Sequence, residues 1–519
     1  MKLTILSILV GALAGTAIAE DAVSLKHLST YKAGKFLEGA AEIAAYDSIN
    51  KRIFAVNGQL GSITVLDVAD PEKPELLKNI EVGEYGKEFT CVAVHGTRVA
   101  VTVVNPDKQA PGKVLLMDTD GAVLKVFEAG ALPDNVQFSP DGAYIVAANE
   151  GEPSDDYTND PEGSVTVVDL KADKATQVRF ELKEAPKDVR VFGPNASVAQ
   201  DLEPEYVAIS PDSKTAYVAC QENNAIAVID LESKKVKNVK GLGYKDHSKE
   251  GNSFDASNKA DKVEIKPWPT LGIYQPDAIT AVEIGDETYI LTANEGDARD
   301  YEAYSEETRV EDLKLDPDKF PNAQQLQDEK NLGRLKTTVA NGDTDGDGDH
   351  DVIYSYGARS FSIWDADLNL VWDSGDQLEQ ITAERLGRGF NSTGDEQPSF
   401  KNRSDDKGPE PEAATVGKIR GKHYAFIGLE RQGGIMVYDI TDPQNPVFQL
   451  FINSYQDDGT MTDIAPEGLV FVPAENSHTS KNLLIVSNEV SGTTAIYEIE
   501  DPLSGKEESA LSNVNLRLF

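Results

Sequence analysis

The sequence predicts an all-β chain folded as a seven-bladed β-propeller, and three observations predict it. A hairpin pattern recurs along most of the chain, a short run headed by an acid precedes most copies, and a fourth short run follows several. The hairpin is plain in "RIFAVNGQLGSITVLD" (52–67), "AYVACQENNAIAVID" (216–230), "YAFIGLERQGGIMVYD" (424–439) and "LLIVSNEVSGTTAIYEI" (483–499). Each has an apolar, β-rich run, a polar turn and a second alternating run that usually ends in Asp, the signature of paired strands. Four short antiparallel strands per unit, radially repeated, describe a propeller.

The first strands are expected to start near residues 42, 90, 134, 205, 277, 412 and 467. The last unit shows only three strands of its own. "SLKHLSTYKAG" (24–34) has the strand-then-glycine form of fourth strands such as "ELLKNIEVG" (75–83). Its addition would close the ring and cover an open sheet edge. Long polar stretches interrupt the pattern at about 241–272, 296–356 and 376–411; such loops are usually functional or disordered. Helical character is confined to parts of 306–335 and 376–387. Cys91 and Cys220 sit in apolar strand-like runs two units apart and read as buried free thiols.

The repeat gathers acids. Glu42, Asp134, Glu205, Asp277, Glu412 and Glu467 head first strands, most of them after proline. The second unit has "FTCVAVHG" there and no acid. In a propeller these positions converge on one rim of the central channel, where carboxylates repel unless cations or protons compensate. The ends of second strands add Glu150, Glu222, Glu295, Glu430 and Glu489. Arg299, Arg359 and Arg431 occupy the equivalent turns. Such a mixture can hold a phosphate or another anion through a divalent ion; it can equally be a salt-bridge network that locks the sheets together. Tyr157 and Tyr301 follow the acidic turns and either stack on a ligand or cover the rim.

"NGDTDGDGDHDVIYSYGARSF" (341–361) is a separate acidic feature. Compared with a calcium loop, Asp343, Asp345 and Asp347 fall at positions one, three and five, Asp349 at seven and Asp351 at nine. Position twelve is Tyr354 rather than glutamate. The loop is therefore expected to bind calcium with a last ligand from elsewhere, the alternative being a solvated acidic turn. The six histidines form no ligand-like cluster, and no Gly-x-Ser-x-Gly, His-Glu-x-x-His or P-loop motif is present.

Residues 1–19 read as a secretory signal peptide, with Lys2, an apolar run from Leu3 to Ala14 and a small-residue Ala17-Ile18-Ala19 cleavage site. The run is too short to span a bilayer. The net charge of −39 makes nucleic acid and anionic membranes poor partners. An exported monomer, periplasmic or extracellular, is expected.

The phrases "GAAEIAAYD" (39–47), "ANEGEPSDDY" (148–157), "ANEGDARDY" (293–301), "GDTDGDGDHDVIYSYGARSFSIWD" (342–365), "RSDDKGPEPEA" (403–413) and "APEGLVFVP" (465–473) together resemble the choice-of-anchor I family. The resemblance implies a secreted or surface β-propeller, and some members are labelled or fused with phosphatase- or nucleotidase-type proteins. The chain ends "NVNLRLF", unlike the anchored members. Two functions follow as expectations. One is a calcium-dependent phosphate-ester hydrolase, similar at fold level to phytase-type propellers, with Glu150 or Glu295 as base and Arg299, Arg359 and Arg431 offsetting charge. The other is a non-catalytic surface or matrix recognition protein with structural calcium and a small anionic or surface ligand.

Overall fold

The computed structural model describes residues 22–395, 399–454 and 461–501; the expected signal peptide lies outside them. Seven four-stranded antiparallel sheets are present among the described residues. In chain order their innermost strands are Ala44–Asp47, Phe89–His95, Pro133–Phe138, Pro204–Ile209, Ile279–Ile284, Pro411–Ile419 and Pro466–Val472. Each innermost strand contacts that of the next sheet, and the seventh contacts the first. The result is a closed β-propeller ring.

The recurring aspartate at the end of third strands has a local job. The Asp67 carboxylate accepts from Ala69 N at 2.9 Å, Asp118 from Asp120 N and Ala122 N at 2.9 Å, and Asp230 from Ser233 N at 2.7 Å. These are Asx-type turns, in which a short acidic side chain satisfies the backbone where the chain reverses. The strands between them are rich in Val and Ile, and their side chains bury between sheets. A hydrophobic cluster fills every interface of the ring; Ile53, Ala55, Val472 and Ile485 form part of the one that joins the seventh sheet to the first.

The closing strand is Ser24–Lys32, which pairs antiparallel with Thr493–Glu500. Cys91 and Cys220 are buried and unpaired. The long connections are structured, contrary to their loop-like sequence. Tyr244–Asp246, Thr270–Ile273 and Ile353–Ser355 form a three-stranded sheet. Around it Phe254, Trp268, Val310, Phe320, Leu332 and Leu335 bury in a core of their own. The polar composition of 241–272 and 296–356 concealed a single unit, because its apolar residues are scattered over two segments. In the third connection, the helix Gln377–Leu386 buries Leu378, Ile381 and Leu386 against the fifth and sixth sheets.

Candidate functional site

A bulge places each rim acid. Pro133 pairs with Asn149 and Val136 with Ala147, so Asp134 and Asn135 stand opposite one residue. The same register shift brackets Glu205, Glu412 and Glu467. In the first and fifth sheets the hydrogen bonds show it: Glu42 N donates to Val56 O at 3.1 Å while Val56 N donates to Ile43 O at 2.9 Å, and Asp277 and Ala278 bracket Ala293 likewise. A bulge re-aims a side chain without ending the strand. The second sheet keeps the bulge but carries Thr90, whose hydroxyl donates to Pro133 O and Asp134 O at 2.8 and 2.9 Å.

Asp134, Glu150, Glu205, Asp277, Glu412 and Glu467 line one chamber of about 220 Å³. No Lys or Arg is among its lining residues. The chamber shares Ile43 and Tyr206 with a larger space of about 400 Å³, lined by innermost strands of all seven sheets. The channel thus has an acidic end and a mainly uncharged remainder. Burial, then the neighbouring Glu489 and Asp134, pushes the Glu42 carboxyl up to about 8. Burial, then Glu152, pushes Asp134 up to about 7. Burial also holds Glu150, Glu205, Asp277, Glu412 and Glu467 well above the usual carboxylate range, with carboxylate neighbours adding to it.

The second set of acids divides. Pro204 pairs with Cys220 as Pro133 pairs with Asn149, so the residue equivalent to Glu150 is Gln221 and not Glu222. Gln221 Nε2 donates to Glu295 Oε2 at 2.9 Å. Burial raises Glu222 to about 7, against the opposing pull of Arg299. Glu489 lies beside Glu42, since a Cβ on Gly39 would meet carboxylate oxygens of both within 4 Å. Glu295, Glu410 and Glu430 bring oxygens within 4.8 Å of one another. Lys407 sits among them, 2.5 Å from Glu295 Oε1 and 3.6 Å from Glu410 Oε2. Lys407 and Glu410 were missed as site residues although "RSDDKGPEPEA" contains both; nothing in their spacing ties them to Glu295, which is more than a hundred positions away.

The arginines are committed to the scaffold. Arg299 is buried, ion-paired with Asp201 and Glu203, and its Nη2 donates to Asp201 O at 2.6 Å. The Arg359 guanidinium is enclosed by Glu379 at 2.6 Å, the Asp255, Ser404 and Asp406 carbonyls and the Phe254 ring. It faces the inserted unit. Only Arg431 is partly open, 2.9 Å from Glu430. Of the two sequence readings, the salt-bridge network describes Arg299 and Arg359. Tyr157 packs edge-on against Tyr301 and Tyr304 at 5.3 and 5.9 Å between centroids. These rings pin the inserted unit to the turn of the third sheet.

The aspartate run keeps part of the expected arrangement. Asp343, Asp345 and Asp351 bring oxygens within 4.8 Å of one another. Asp343 accepts from Gly346 N and Gly348 N at 2.7 and 3.0 Å. Gly346 and Gly348 have φ of 80° and 89°, the left-handed region that glycine reaches without strain. Asp347 and Asp349 lie outside this trio, and Asp349 pairs with Lys314 at 3.3 Å.

The choice-of-anchor I domain profile matches residues 42–443. The chain belongs to the choice-of-anchor I family. The match spans the first five sheets, three strands of the sixth and the long connections between them. Among curated proteins, Gigasin-3a of Magallana gigas is 28% identical over 190 residues, covering 34% of this chain and 66% of that protein. The mesenchyme-specific cell surface glycoprotein of Strongylocentrotus purpuratus is 25% identical over 352 residues, covering 60% and 42%. The chain thus spans less than two thirds of either relative. Similar solved structures include hydrazine synthase of Kuenenia stuttgartiensis, at 13% identity and TM-score 0.47, with 89% of this chain and 96% of that one covered. The Cps50 (Swd1) β-propeller domain of Myceliophteria thermophila has 8% identity and TM-score 0.42, with 92% and 100% covered. At these scores they say nothing about function. No helix among the described residues is long and apolar enough to cross a membrane.

Proposed function

We propose that this family member is an exported or surface recognition propeller that takes its ligand at the acidic end of the channel, with calcium as its cofactor. The observation that carries the reading is the chamber of six carboxylates with no basic side chain in its lining. Where its carboxyls ionise, such a cavity attracts cations and repels anions, and a bound cation would favour that ionisation, so an anionic ligand reaches it only through a bound metal. Surface location draws support from the family and from the name of the sea-urchin relative. The trio Asp343, Asp345 and Asp351 suits calcium: hard oxygens at close spacing on a glycine-curled loop. Calcium there would tie the inserted unit into a fixed shape.

Recognition is favoured over phosphate-ester hydrolysis because the guanidiniums assigned to the phosphate are occupied. Arg299 and Arg359 are paired with Asp201, Glu203 and Glu379 and would have to leave buried partners to meet a substrate. The test uses the mature chain, calcium calorimetry and a chromogenic phosphate ester. Saturable calcium binding without turnover supports the reading. Turnover that disappears in Glu295→Gln would establish the hydrolase instead. Absence of any calcium binding would remove the cofactor.

A further inference from the structure

We propose that the rim beside the first and seventh sheets is a docking lip for a polypeptide segment that carries apolar and basic side chains together. This names a partner for the acidic channel end and rests on the reading of that end as the ligand site. Three observations carry it.

The first is apolar surface without a structural cause. Phe36, Leu37 and Leu60 are 44%, 58% and 50% exposed. Leu37 holds a φ of 64°, in the left-handed region that suits glycine or asparagine and is an outlier for a bulky side chain. Backbone geometry and exposure both select against leucine there. A residue kept against both points to function.

The second is that two loop tips form one surface. Lys35 N donates to Gln59 Oε1 at 3.0 Å, and Gln59 N donates to Gly39 O at 3.1 Å. These bonds join the connection 33–41 to the turn 58–61, so the tip with Phe36 and Leu37 neighbours the tip with Leu60. Leu37 N donates to Val490 O and Ala33 N to Gly492 O, both at 2.8 Å, which fastens the first tip to the seventh sheet. The equivalent turn of the fifth sheet holds part of the inserted unit, so the lip stands across the ring from that unit.

The third is charge. A Cβ on Gly58 would meet Glu42 Oε1 at 2.4 Å, and one on Gly39 would meet Glu42 Oε1 at 2.8 Å and Glu489 Oε1 at 3.9 Å. Both carboxyls therefore lie beside the tips, and Glu38 is exposed on the first of them. Two lysines are close by. Lys35 is exposed next to Phe36, and Lys87 is paired with Glu88 at 3.0 Å. Behind the tips Glu42 feels the charge of Asp134 in the acid ring. A basic side chain at Glu42 and Glu489 is thus favoured, and it would favour their ionised forms. The net charge of −39 opposes a second copy or an anionic membrane as the occupant. A polypeptide supplies the apolar anchor and the cation on one chain.

The test is fluorescence anisotropy of the mature chain with a labelled decapeptide of alternating lysine and leucine. Decalysine and an alternating glutamate–leucine decapeptide are the controls. Salt near ~150 mM screens the exposed acidic surface. We expect saturable binding of the lysine–leucine probe, at least tenfold tighter than either control. Leu37→Asn/Leu60→Ser should weaken it at least tenfold. Leu37→Asn alone should hold or raise Tm, because asparagine accepts this φ; a clear fall in Tm makes Leu37 structural and overturns the lip. Equal probe binding in the double variant, or equal binding of decalysine to wild type, overturns it as well. So does a dimer in sedimentation that the double variant dissolves, which makes a second copy the occupant. Binding to phosphatidylcholine vesicles that the double variant loses makes the occupant a membrane and has the same result. Probe binding that is lost in Glu412→Gln/Glu467→Gln but kept in the double tip variant leaves the channel reading standing and removes this inference alone.

Discussion

Replacing Arg299 by methionine tests whether the arginines at the rim serve structure. The guanidinium is 1% exposed, and its partners Asp201 and Glu203 are 0% and 4% exposed as side chains. Asp201 retains its bonds from Phe192 N and Gly193 N, but the cation that offsets both carboxylates is gone. Breaking a buried ion pair from one side costs about 3–5 kcal/mol. At ~2.1 cal/mol/K per residue, unfolding of a 519-residue chain carries an entropy of about 1.1 kcal/mol/K. The expected loss is therefore about 3–5 °C in Tm by scanning calorimetry. Arg431→Met is the control: its side chain is 35% exposed, and an exposed pair contributes about 1 kcal/mol or less. A Tm for Arg299→Met within 1 °C of wild type, or an equal loss for Arg431→Met, would refute the scaffold assignment.

Lys407→Met should lower stability by about 3–5 kcal/mol, because Glu295 and Glu410 lose their shared cation; denaturant midpoints measure it, and a loss below ~1 kcal/mol contradicts the role. Without divalent ions, stability should fall as pH rises from 5 to 8. Glu42 and Asp134 carry folded pKa values of about 8 and about 7, raised from 4.5 and 3.8, so the folded state holds more protons across this window. Their contribution is complete below about pH 4 and lost as pH passes 7 to 8; a Tm in chelator that is equal or higher at pH 8 than at pH 5 is the opposing result. Cys91 and Cys220 should stay silent to a thiol reagent until the chain unfolds. Burial pushes the Cys91 thiol up to about 12 and raises Cys220 further, and rapid labelling of native protein would contradict their placement.

The ring was legible because its signals are local and repeated. Acid-headed strands, hairpins and terminal aspartates recur at positions the bulges and Asx turns use directly. The closing strand 24–32 was visible from its form alone. Partner choice was not legible. Arg299 and Glu295 lie close in sequence, yet one pairs with Asp201 and the other with Lys407, 98 and 112 positions away. A one-residue offset in the turn of the fourth sheet exchanged Gln221 for Glu222, since pairing register depends on hydrogen bonds that composition does not show. The inserted unit escaped for a related reason: Phe254 and Trp268 complete a core with Val310 and Leu335 only when two polar-looking segments meet.

The strand Ser24–Lys32 also sets the order of assembly. Its partner strand ends at Glu500, and the Ser24 hydroxyl bonds to that residue across 476 positions. A contact of such sequence separation forms late, because the entropy of closing so long a loop comes before the gain. Until the last sheet is made, the first strand has no ladder to join and the seventh sheet lacks its outer edge. Ring closure is thus a latch that cannot set before residues 493–500 are made, and the ring stays open until then. Force or proteolysis acting on residues 24–32 should release that latch first, leaving the other six sheets stacked in an arc.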